Sequence, residues 1–341
     1  MLSSIEVAMQ TESFIAGEAT GGIQPEPIIE ARSLSLYYPM PKRAPSVRAV
    51  HEVDLEIQQG EVLGLVGESG CGKSSLARIM AGVRQASSGE IRYRGRPLAG
   101  LTGKEKIQAK LQIQMVFQDP FASLNPRMNV GEIIAEAPRL FGLIKTDESA
   151  FISEQMERVG LDPAYRLRYP HQFSGGQRQR IGIARALAVN PSVLVCDEPV
   201  SALDVSIQAQ ILNLFMDLRE QLGLTYLFIS HDLSVVRHLA DRVAIMYLGR
   251  IVEQAPAREI FERPNHPYTQ ALLAEMPRIV TRQRTFSPVE GELPSPSNPP
   301  KGCHFHPRCP KAMPICKEVM PKLEDIDTGH LSACHLNEKA G

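Results

Sequence analysis

Residues 67–74 read Gly-Glu-Ser-Gly-Cys-Gly-Lys-Ser, a spacing that could bind a phosphate group. In the pattern G-x-x-x-x-G-K-[ST], backbone N–H groups surround the phosphate oxygens. The ammonium group of Lys73 would reach the β- and γ-phosphates, and the hydroxyl of Ser74 would coordinate Mg²⁺. The sequence therefore predicts a site for a nucleotide and Mg²⁺, whose other members are Gly67, Ser69, Gly70, Cys71, Gly72 and Ser75.

The residues on either side of this loop are those that such a site needs. Residues 61–66 are apolar and β-prone, and residues 75–81 favour a helix. A helix that starts at the loop adds the positive end of its dipole to the phosphate site. Strand, loop and helix together predict a nucleotide site rather than a simple glycine-rich turn.

Polar residues with suitable chemistry follow three further apolar segments. Gln118 comes after residues 111–117, and it could contact Mg²⁺ or the attacking water. Asp197 and Glu198 end a continuous apolar run typical of a strand buried on both faces, where they suit Mg²⁺ binding and activation of water respectively. His231 ends the next apolar strand, where it could hold the γ-phosphate.

A second helix start could also bind an anion. Ser174 is a favourable N-cap, and it is followed by Gly175, Gly176 and Gln177, which leave the helix N-terminus open. Upstream of the phosphate loop, Tyr38 could stack on an adenine ring, with Tyr37 as the alternative. Either tyrosine could instead be a half-buried strand residue.

Composition excludes several classes of protein. The chain has 341 residues and a formal net charge of -1, which gives no electrostatic footprint for nucleic acid. No run approaches the roughly 18 consecutive apolar residues of a membrane helix. Residues 1–24 are polar and lack the features of a signal peptide. We therefore expect a protein that stays in the cytoplasm, where any association with a membrane must come through a partner.

The pattern along the chain predicts several parts. Residues 1–27 are expected to form a flexible tail, and residues 28–57 a small antiparallel sheet. Helical periodicity over about 119–172 predicts a helical insertion in the nucleotide-binding core. We expect the core domain to span 28–255 and a proline-rich extension to span 256–341.

The extension contains a cluster of cysteines, namely Cys303, Cys309, Cys316 and Cys334. In a reducing compartment, such a cluster indicates a metal rather than disulfides. Four thiolates suit either tetrahedral zinc or an iron–sulfur cluster, and free thiols are the remaining alternative. A mixed zinc site could also use His304, His306 or His335.

The order and spacing of these motifs resemble the nucleotide-binding subunit of an ATP-binding cassette (ABC) transporter over about residues 30–255. The Ser-Gly-Gly-Gln motif at 174–177 is specific to that family. The resemblance implies an α/β fold: a phosphate-loop NTPase core with a parallel sheet, an N-terminal antiparallel β subdomain, an inserted helical subdomain and a cysteine-containing C-terminal extension. It also implies a head-to-tail dimer in which each ATP lies between Lys73 of one subunit and the Ser-Gly-Gly-Gln helix of the other.

The resemblance also implies roles for individual residues. These are Tyr38 for adenine stacking, Gln118 for sensing Mg²⁺, Asp197 for the magnesium shell, Glu198 as general base, His231 as the γ-phosphate switch and Asp204 for communication across the dimer. Some transporters carry a degenerate subunit in which the base or the histidine is replaced. Both are present here, so we expect a chain competent for hydrolysis.

Further segments resemble the dipeptide and oligopeptide importer branch. They are residues 117–127, His266-Pro-Tyr-Thr269, Gly291–Pro296 and the cysteine-rich end, which in this branch is implicated in a four-iron, four-sulfur cluster. The implied partners are a second ATPase subunit, commonly a related but different chain, two permeases and an external solute-binding protein. Nickel or metal-chelate import is the alternative within this branch.

A soluble cassette ATPase that acts on ribosomes or DNA is the competing class. Such proteins usually contain two cassettes or a long coiled-coil insertion, and this sequence shows neither. Exporters are usually fused to membrane helices. The sequence therefore favours the importer ATPase, with no nucleic-acid partner.

Overall fold

The computed structural model describes residues 26–40, 46–145, 147–276 and 291–337. The predicted flexible tail over 1–27 lies outside the described residues except for positions 26 and 27. Within the described ranges, no helix has both the length and the apolar character needed to cross a membrane.

Strands and helices alternate through most of the chain. The strands are β1 (Ile29–Tyr38), β2 (Val47–Ile57), β3 (Val62–Val66), β4 (Ser88–Tyr93), β5 (Arg96–Pro97), β6 (Ile113–Val116), β7 (Val193–Asp197), β8 (Thr225–Ile229), β9 (Arg242–Tyr247), β10 (Arg250–Pro256), β11 (Glu324–Asp327) and β12 (His330–Ser332). The helices are α1 (Lys73–Met80), α2 (Gly103–Gln112), α3 (Val130–Leu140), α4 (Glu148–Arg158), α5 (Gly175–Leu187), α6 (Val205–Leu222), α7 (Leu233–Leu239), α8 (Ala257–Glu262) and α9 (Pro267–Ala274).

The main sheet has the order β11-β12-β10-β9-β3-β8-β7-β6. Strands β6, β7, β8, β3 and β9 are parallel, and β10, β12 and β11 extend the sheet in antiparallel fashion. Every residue of β3, β7 and β8 is buried, because parallel strands are covered on both faces. Since the carboxyl ends of parallel strands meet at one edge, the residues that follow these strands are brought together there.

A second, antiparallel sheet has the order β2-β1-β4-β5 and packs on one face of the main sheet. The apolar residues of β1 and β2 form a core with those of β3 and α1, including Leu34, Val50, Leu65 and Leu76. This confirms the predicted N-terminal antiparallel subdomain. Strand β1 carries Tyr37 and Tyr38 at its C-terminal end.

The helical insertion contains α3 and α4, which pack against each other and against α5. Helix α3 begins at a capping box in which Asn129 and Glu132 each accept a hydrogen bond from the other's backbone N–H. The apolar side of the insertion joins a core that continues through α5 and α6 to the second face of the main sheet. The predicted inserted helical subdomain is therefore present, with α3 and α4 inside it, and its bounds of about 119–172 stay a prediction.

Two parts of the fold differ from the sequence expectation. The strand expected over 111–117 starts only at Ile113, because Leu111 and Gln112 still belong to α2. Helix α2 was not predicted, since its residues are mostly polar and Ala109 is its only buried one. In the proline-rich extension, where the sequence predicts no strand, β11 and β12 extend the main sheet beside β10.

Candidate functional site

The phosphate-binding loop joins the end of β3 to the start of α1, as predicted. Gly72 has a φ of 110°, and a Cβ atom placed there would lie 1.9 Å from the carbonyl oxygen of Ala49. A Cβ on Gly67 would lie 2.2 Å from the carbonyl oxygen of Met246. These positions accept only glycine because the loop backbone packs directly against neighbouring backbone.

Lys73 is buried at the centre of this loop. Its Nζ atom donates hydrogen bonds to the carbonyl oxygens of Gly67 at 2.7 Å and Glu68 at 3.0 Å. These carbonyl oxygens satisfy the ammonium group and hold it inside the curve of the loop. The charge is therefore already placed where a phosphate would be received.

Two of the three side chains predicted to bind Mg²⁺, those of Ser74 and Asp197, are adjacent, whereas Gln118 contacts Glu198. The Ser74 hydroxyl donates a hydrogen bond of 2.8 Å to Oδ1 of Asp197, which lies at the end of β7. Burial raises the pKa of Asp197, and the hydrogen bond from Ser74 acts against that rise. A hydroxyl and a carboxylate oxygen are ligands that suit Mg²⁺, so the residues present fit this ion.

Glu198 lies at the same edge with two polar neighbours. Its Oε2 atom accepts a hydrogen bond of 3.1 Å from Nε2 of Gln118 and lies 3.0 Å from Nδ1 of His231. Gln118 follows β6, Glu198 follows β7 and His231 follows β8, so three strands bring these side chains together. The structure thus joins three candidate residues that lie far apart in the sequence.

The backbone of Glu198 is also unusual. Its φ of 46° lies in the left-handed region, which a non-glycine residue adopts only under constraint. Ser201 contributes to this turn, because its hydroxyl donates to the carbonyl oxygen of Glu198 at 3.0 Å. Ser201 also lies within 3.5 Å of Nε2 of Gln118. The sequence alone indicates no role for Ser201, which lies three residues before Asp204.

The two candidate tyrosines have different surroundings. The hydroxyl of Tyr38 lies 3.2 Å from that of Ser75 in α1, and the Arg84 guanidinium lies over its ring at 4.3 Å. The hydroxyl of Tyr37 instead lies 2.8 Å from Nδ1 of His51 in β2. Tyr38 is therefore the tyrosine beside the phosphate loop, and its adenine-stacking role stays a prediction.

The Ser-Gly-Gly-Gln motif forms the start of α5, as expected. Ser174 Oγ accepts from the N–H of Gln177 at 3.3 Å, and Gln177 Oε1 accepts from the N–H of Ser174 at 3.0 Å. A Cβ on Gly176 would lie 2.4 Å from Cγ2 of Ile207, so this glycine allows α5 to approach α6 closely. Among the described residues, Ser174 and Gln177 hydrogen-bond to each other rather than to the phosphate loop.

Asp204 precedes α6 next to this motif. It occupies the N-cap position of α6, but its side chain makes no capping hydrogen bond. Gly175 of the motif lies close enough for an added Cβ to be 3.4 Å from Leu203. The motif and the segment that precedes α6 therefore pack together at the starts of α5 and α6.

The cysteines of the extension converge on one small cavity. Cys303, Cys309, Cys316 and Cys334 all line it and carry no disulfide. Burial raises the pKa of Cys303 to about 11 and raises those of Cys309 and Cys334 as well. These shifts favour the protonated form of those three thiols unless a metal binds them.

The geometry of this cavity does not match a preformed metal site. Its volume is about 10 Å³, roughly the space of one water molecule. Within the described ranges, no three or more His, Cys, Asp or Glu side chains are arranged to hold a metal ion. His306 Nδ1 and His335 Nε2 lie at hydrogen-bonding distance from the carbonyl oxygens of Cys303 and Val319, 2.9 Å in each case. The four cysteines therefore converge without forming a ready-made iron–sulfur or zinc site among the described residues.

Comparisons with known proteins cover both halves of the chain. Residues 50–201 match the family model described as ABC transporter, and residues 252–316 match that described as oligopeptide/dipeptide transporter, C-terminal region. The oligopeptide transport ATP-binding protein AppF of Bacillus subtilis is 50% identical over 324 residues, which cover 91% of this chain and 98% of AppF. The dipeptide transport ATP-binding protein DppF of Haemophilus influenzae is 48% identical, covering 90% of this chain and 96% of that relative.

Solved structures give the same family. A dimeric post-hydrolysis state of the ATP-binding cassette MJ0796, bound to ADP and Pi, is similar with a TM-score of 0.60 and 28% identity. That match covers 67% of this chain and 99% of the cassette. CbiO1 from Clostridium perfringens, part of the transporter complex cbiONQ, has a TM-score of 0.61 and 27% identity over 70% of this chain and 92% of its own.

Proposed function

The chain belongs to the ATP-binding subunits of ABC transporters, and we propose that it hydrolyses ATP to drive the import of dipeptides or oligopeptides across a membrane. The observation that carries the ATPase function is the meeting of Lys73, Asp197 and Glu198 at the carboxyl edge of one parallel sheet. The similarity to AppF and DppF over nearly their whole lengths supports peptides as the substrate class. It does not favour nickel import, and it does not favour an ATPase that acts on ribosomes or DNA.

In the proposed mechanism, Lys73 exchanges its two carbonyl partners for phosphate oxygens when ATP enters the loop. Ser74, Asp197 and Gln118 would hold Mg²⁺, which neutralises charge on the phosphates when bound. Glu198 accepts the proton of the attacking water, because its carboxylate lies at the strand end beside the loop. His231 positions the γ-phosphate, and Tyr38 stacks on the adenine.

Hydrolysis is proposed to require a second ATPase subunit. Ser174–Gln177 and Asp204 would complete the ATP site of the partner. In this chain, Ser174 and Gln177 hydrogen-bond to each other rather than to the phosphate loop. The dimeric arrangement reported for MJ0796 supports this proposal. We further propose that the second subunit is a related but different chain, and that the pair binds two permeases at the cytoplasmic face of the membrane, supplied by an external solute-binding protein.

We propose a division into a cassette over 28–255 and an extension over 256–341. The separate matches over 50–201 and 252–316 support a boundary near residue 252. The two parts share one sheet, because β12 of the extension pairs with β10.

The cysteines of the extension are proposed as ligands of a four-iron, four-sulfur cluster, with zinc as the alternative. Their convergence on one cavity supports this idea, but the thiols would have to rotate and the cavity would have to widen. Iron and zinc analysis of the chain purified without oxygen, together with its visible absorption spectrum, tests the proposal. A metal-free chain with normal stability would refute it.

The transport function is tested by uptake of labelled di- and oligopeptides, with nickel uptake measured alongside. In cells that carry only the Lys73→Ala chain, we expect peptide uptake to be lost and nickel uptake to be unchanged. Lys104→Ala, which removes an exposed lysine in the first turn of α2, is the matched control. Intact peptide uptake in the Lys73→Ala cells, in a strain with no other peptide importer, would contradict the proposal.

A further inference from the structure

Glu68, the second residue of the phosphate-binding loop, is held at three points. Its carbonyl oxygen accepts from Nζ of Lys73 at 3.0 Å. Its backbone N–H donates to the hydroxyl of Tyr268 at 2.9 Å, and its carboxylate oxygens both accept from Nη1 of Arg308 at 3.0 Å. The first of these contacts is internal to the loop, whereas the other two come from the C-terminal extension.

Arg308 and Tyr268, the two residues of the extension that contact Glu68, are held in place by buried packing. Arg308 is only 6% exposed and lies in a short turn between Cys303 and Cys309. Tyr268 is fully buried, and its ring packs edge-on at 4.7 Å from that of Tyr247 at the end of β9. Phe305 closes the group, with ring centroids 5.4 Å from both tyrosines. Three buried aromatic rings thus fix the positions of the groups that contact Glu68.

The charges at this point matter for ATP. A carboxylate on the phosphate loop opposes the binding of a triphosphate, because like charges repel strongly where water is partly excluded. The Glu68 side chain is 24% exposed, so solvent screens it only in part. Arg308 supplies the opposite charge at hydrogen-bonding distance, and in doing so it also restrains the residue whose carbonyl holds Lys73.

We propose that Arg308 is a positioning residue for ATP binding: it neutralises Glu68 and, with the Tyr268 hydroxyl, holds the start of the phosphate loop in its ATP-receiving conformation. The C-terminal extension is then part of the nucleotide site rather than an appendage to it. This inference rests on the proposed ATP-binding role of Lys73 and its loop.

The test is calorimetric titration of the purified full-length chain with Mg²⁺ and ATP. We expect Arg308→Met to weaken ATP binding by about tenfold, because it leaves a partly buried carboxylate unpaired beside the phosphates. Arg308→Lys should retain part of the affinity. The double variant Arg308→Met/Glu68→Gln should bind ATP several-fold more tightly than Arg308→Met alone, because the unpaired charge is gone.

A matched control separates this role from general stabilisation. Arg242 forms a partly buried ion pair with Glu61 at 2.9 Å, at the opposite end of β3 from the phosphate loop. Arg242→Met should reduce the stability of the chain and leave the ATP affinity unchanged. A merely structural Arg308 would behave in the same way, and Glu68→Gln would then not rescue it.

Two further variants keep the outcomes distinct. If Lys73→Ala binds ATP normally, the site assignment itself fails. If Lys73→Ala weakens binding but folded Arg308→Met stays within twofold of the wild type, only the present inference is overturned. Should Arg308→Met fail to fold, Tyr268→Phe and Arg308→Lys provide the test, since both keep the aromatic packing. We expect each to weaken ATP binding by about threefold, and unchanged affinity in both would overturn the inference.

Discussion

Two glutamate–histidine pairs of this molecule have similar separations, one at the carboxyl edge of the main sheet and the other within its antiparallel part. Glu198 Oε2 is 3.0 Å from Nδ1 of His231 beside the phosphate loop, and Glu253 Oε1 is 2.7 Å from Nε2 of His330 where the extension joins β10. Their environments differ sharply. Glu253 and His330 have exposed side-chain fractions of 0% and 7%, whereas those of Glu198 and His231 are 11% and 52%.

The hydrogen bonds differ in the same sense. Both oxygens of Glu253 are occupied, because the N–H groups of Asn265 and His266 also donate to this carboxylate, at 2.7 and 2.9 Å. At Glu198, the contacts with Gln118 and His231 both fall on Oε2. Glu253 lies inside β10, at a register shift in its pairing with β9, while Glu198 follows β7 and has the left-handed backbone described above. The distance within such a pair therefore says little about catalysis, and the surroundings decide it.

The largest effect should come from Glu198→Gln. An amide cannot accept the proton of the attacking water, so we expect ATP turnover to fall by about 10²–10⁴-fold. ATP binding and the free energy of unfolding should change little, because Glu198 is linked only to partly exposed neighbours. Steady-state ATPase assays of the chain with its partner subunit measure this. Normal turnover would show that the two glutamates are not functionally distinct.

Glu253→Gln should have the opposite profile. The amide nitrogen cannot accept the hydrogen bonds that now reach both carboxylate oxygens, so a buried donor is left without an acceptor. We expect a loss of about 3 kcal/mol in the free energy of unfolding, measured by urea titration. Turnover per folded molecule should be retained. If the Glu253→Gln chain were as stable as the wild type, Glu253 and His330 would not have the structural role assigned to them here.

The buried pair also lies beside a titrating group. Burial lowers the pKa of His266 to about 4, from about 6.5 in an unfolded chain. Below pH 6.5 the unfolded chain therefore binds more protons than the folded one, and stability falls as the pH falls. From this residue we expect a loss of about 2 kcal/mol between pH 7 and pH 5.

His266→Asn provides the control for this pH effect. Asparagine keeps an acceptor for the N–H of Tyr268, which His266 now caps through Nδ1 at 3.1 Å, but it does not titrate. Unfolding measured at both pH values should show a smaller pH dependence in this variant. Equal pH dependence in the two chains would mean that His266 is not the responsible group.

The smallest effect is expected for Ser332→Ala. The Ser332 hydroxyl donates at 2.6 Å to Oδ1 of Asn265, whose N–H in turn holds Glu253. Loss of this supporting hydrogen bond should cost about 1 kcal/mol of unfolding free energy. Thermal unfolding would detect it as a shift of a few degrees. Near Glu198 and His231, the corresponding hydroxyl is that of Ser201. Its removal in Ser201→Ala should lower the ATP turnover rate.

Much of the nucleotide site could be predicted because its signals are local. The loop that contains Lys73 is defined by eight adjacent residues, and Asp197 and Glu198 follow directly from an apolar strand. The meeting of Gln118, Glu198 and His231 followed from a general property of parallel sheets, namely that their carboxyl ends share an edge. The family resemblance then gave each residue a role.

The extension could not be predicted in the same way. Strand β11 has the sequence Glu-Asp-Ile-Asp, and acidic residues are depleted in strands, so no local pattern indicated it. The hydrogen-bond partners of Glu253 are Asn265, His266 and His330, which lie 12, 13 and 77 positions later in the chain. The cysteine spacing indicated that these residues converge but not that the cavity between them is small. Such contacts depend on how the extension packs against the main sheet, and the local sequence pattern carries no information about this packing.

The contact between Glu68 and Arg308 spans 240 residues of chain. Ribosomes add about 5–20 residues per second. The phosphate loop of a newly made chain is therefore synthesised some tens of seconds before Arg308. A chain that ends before residue 308 lacks Arg308 and, by the role proposed for this residue, binds ATP poorly. Because closure of the dimer is expected to need ATP, unfinished subunits would be excluded from assembled transporters.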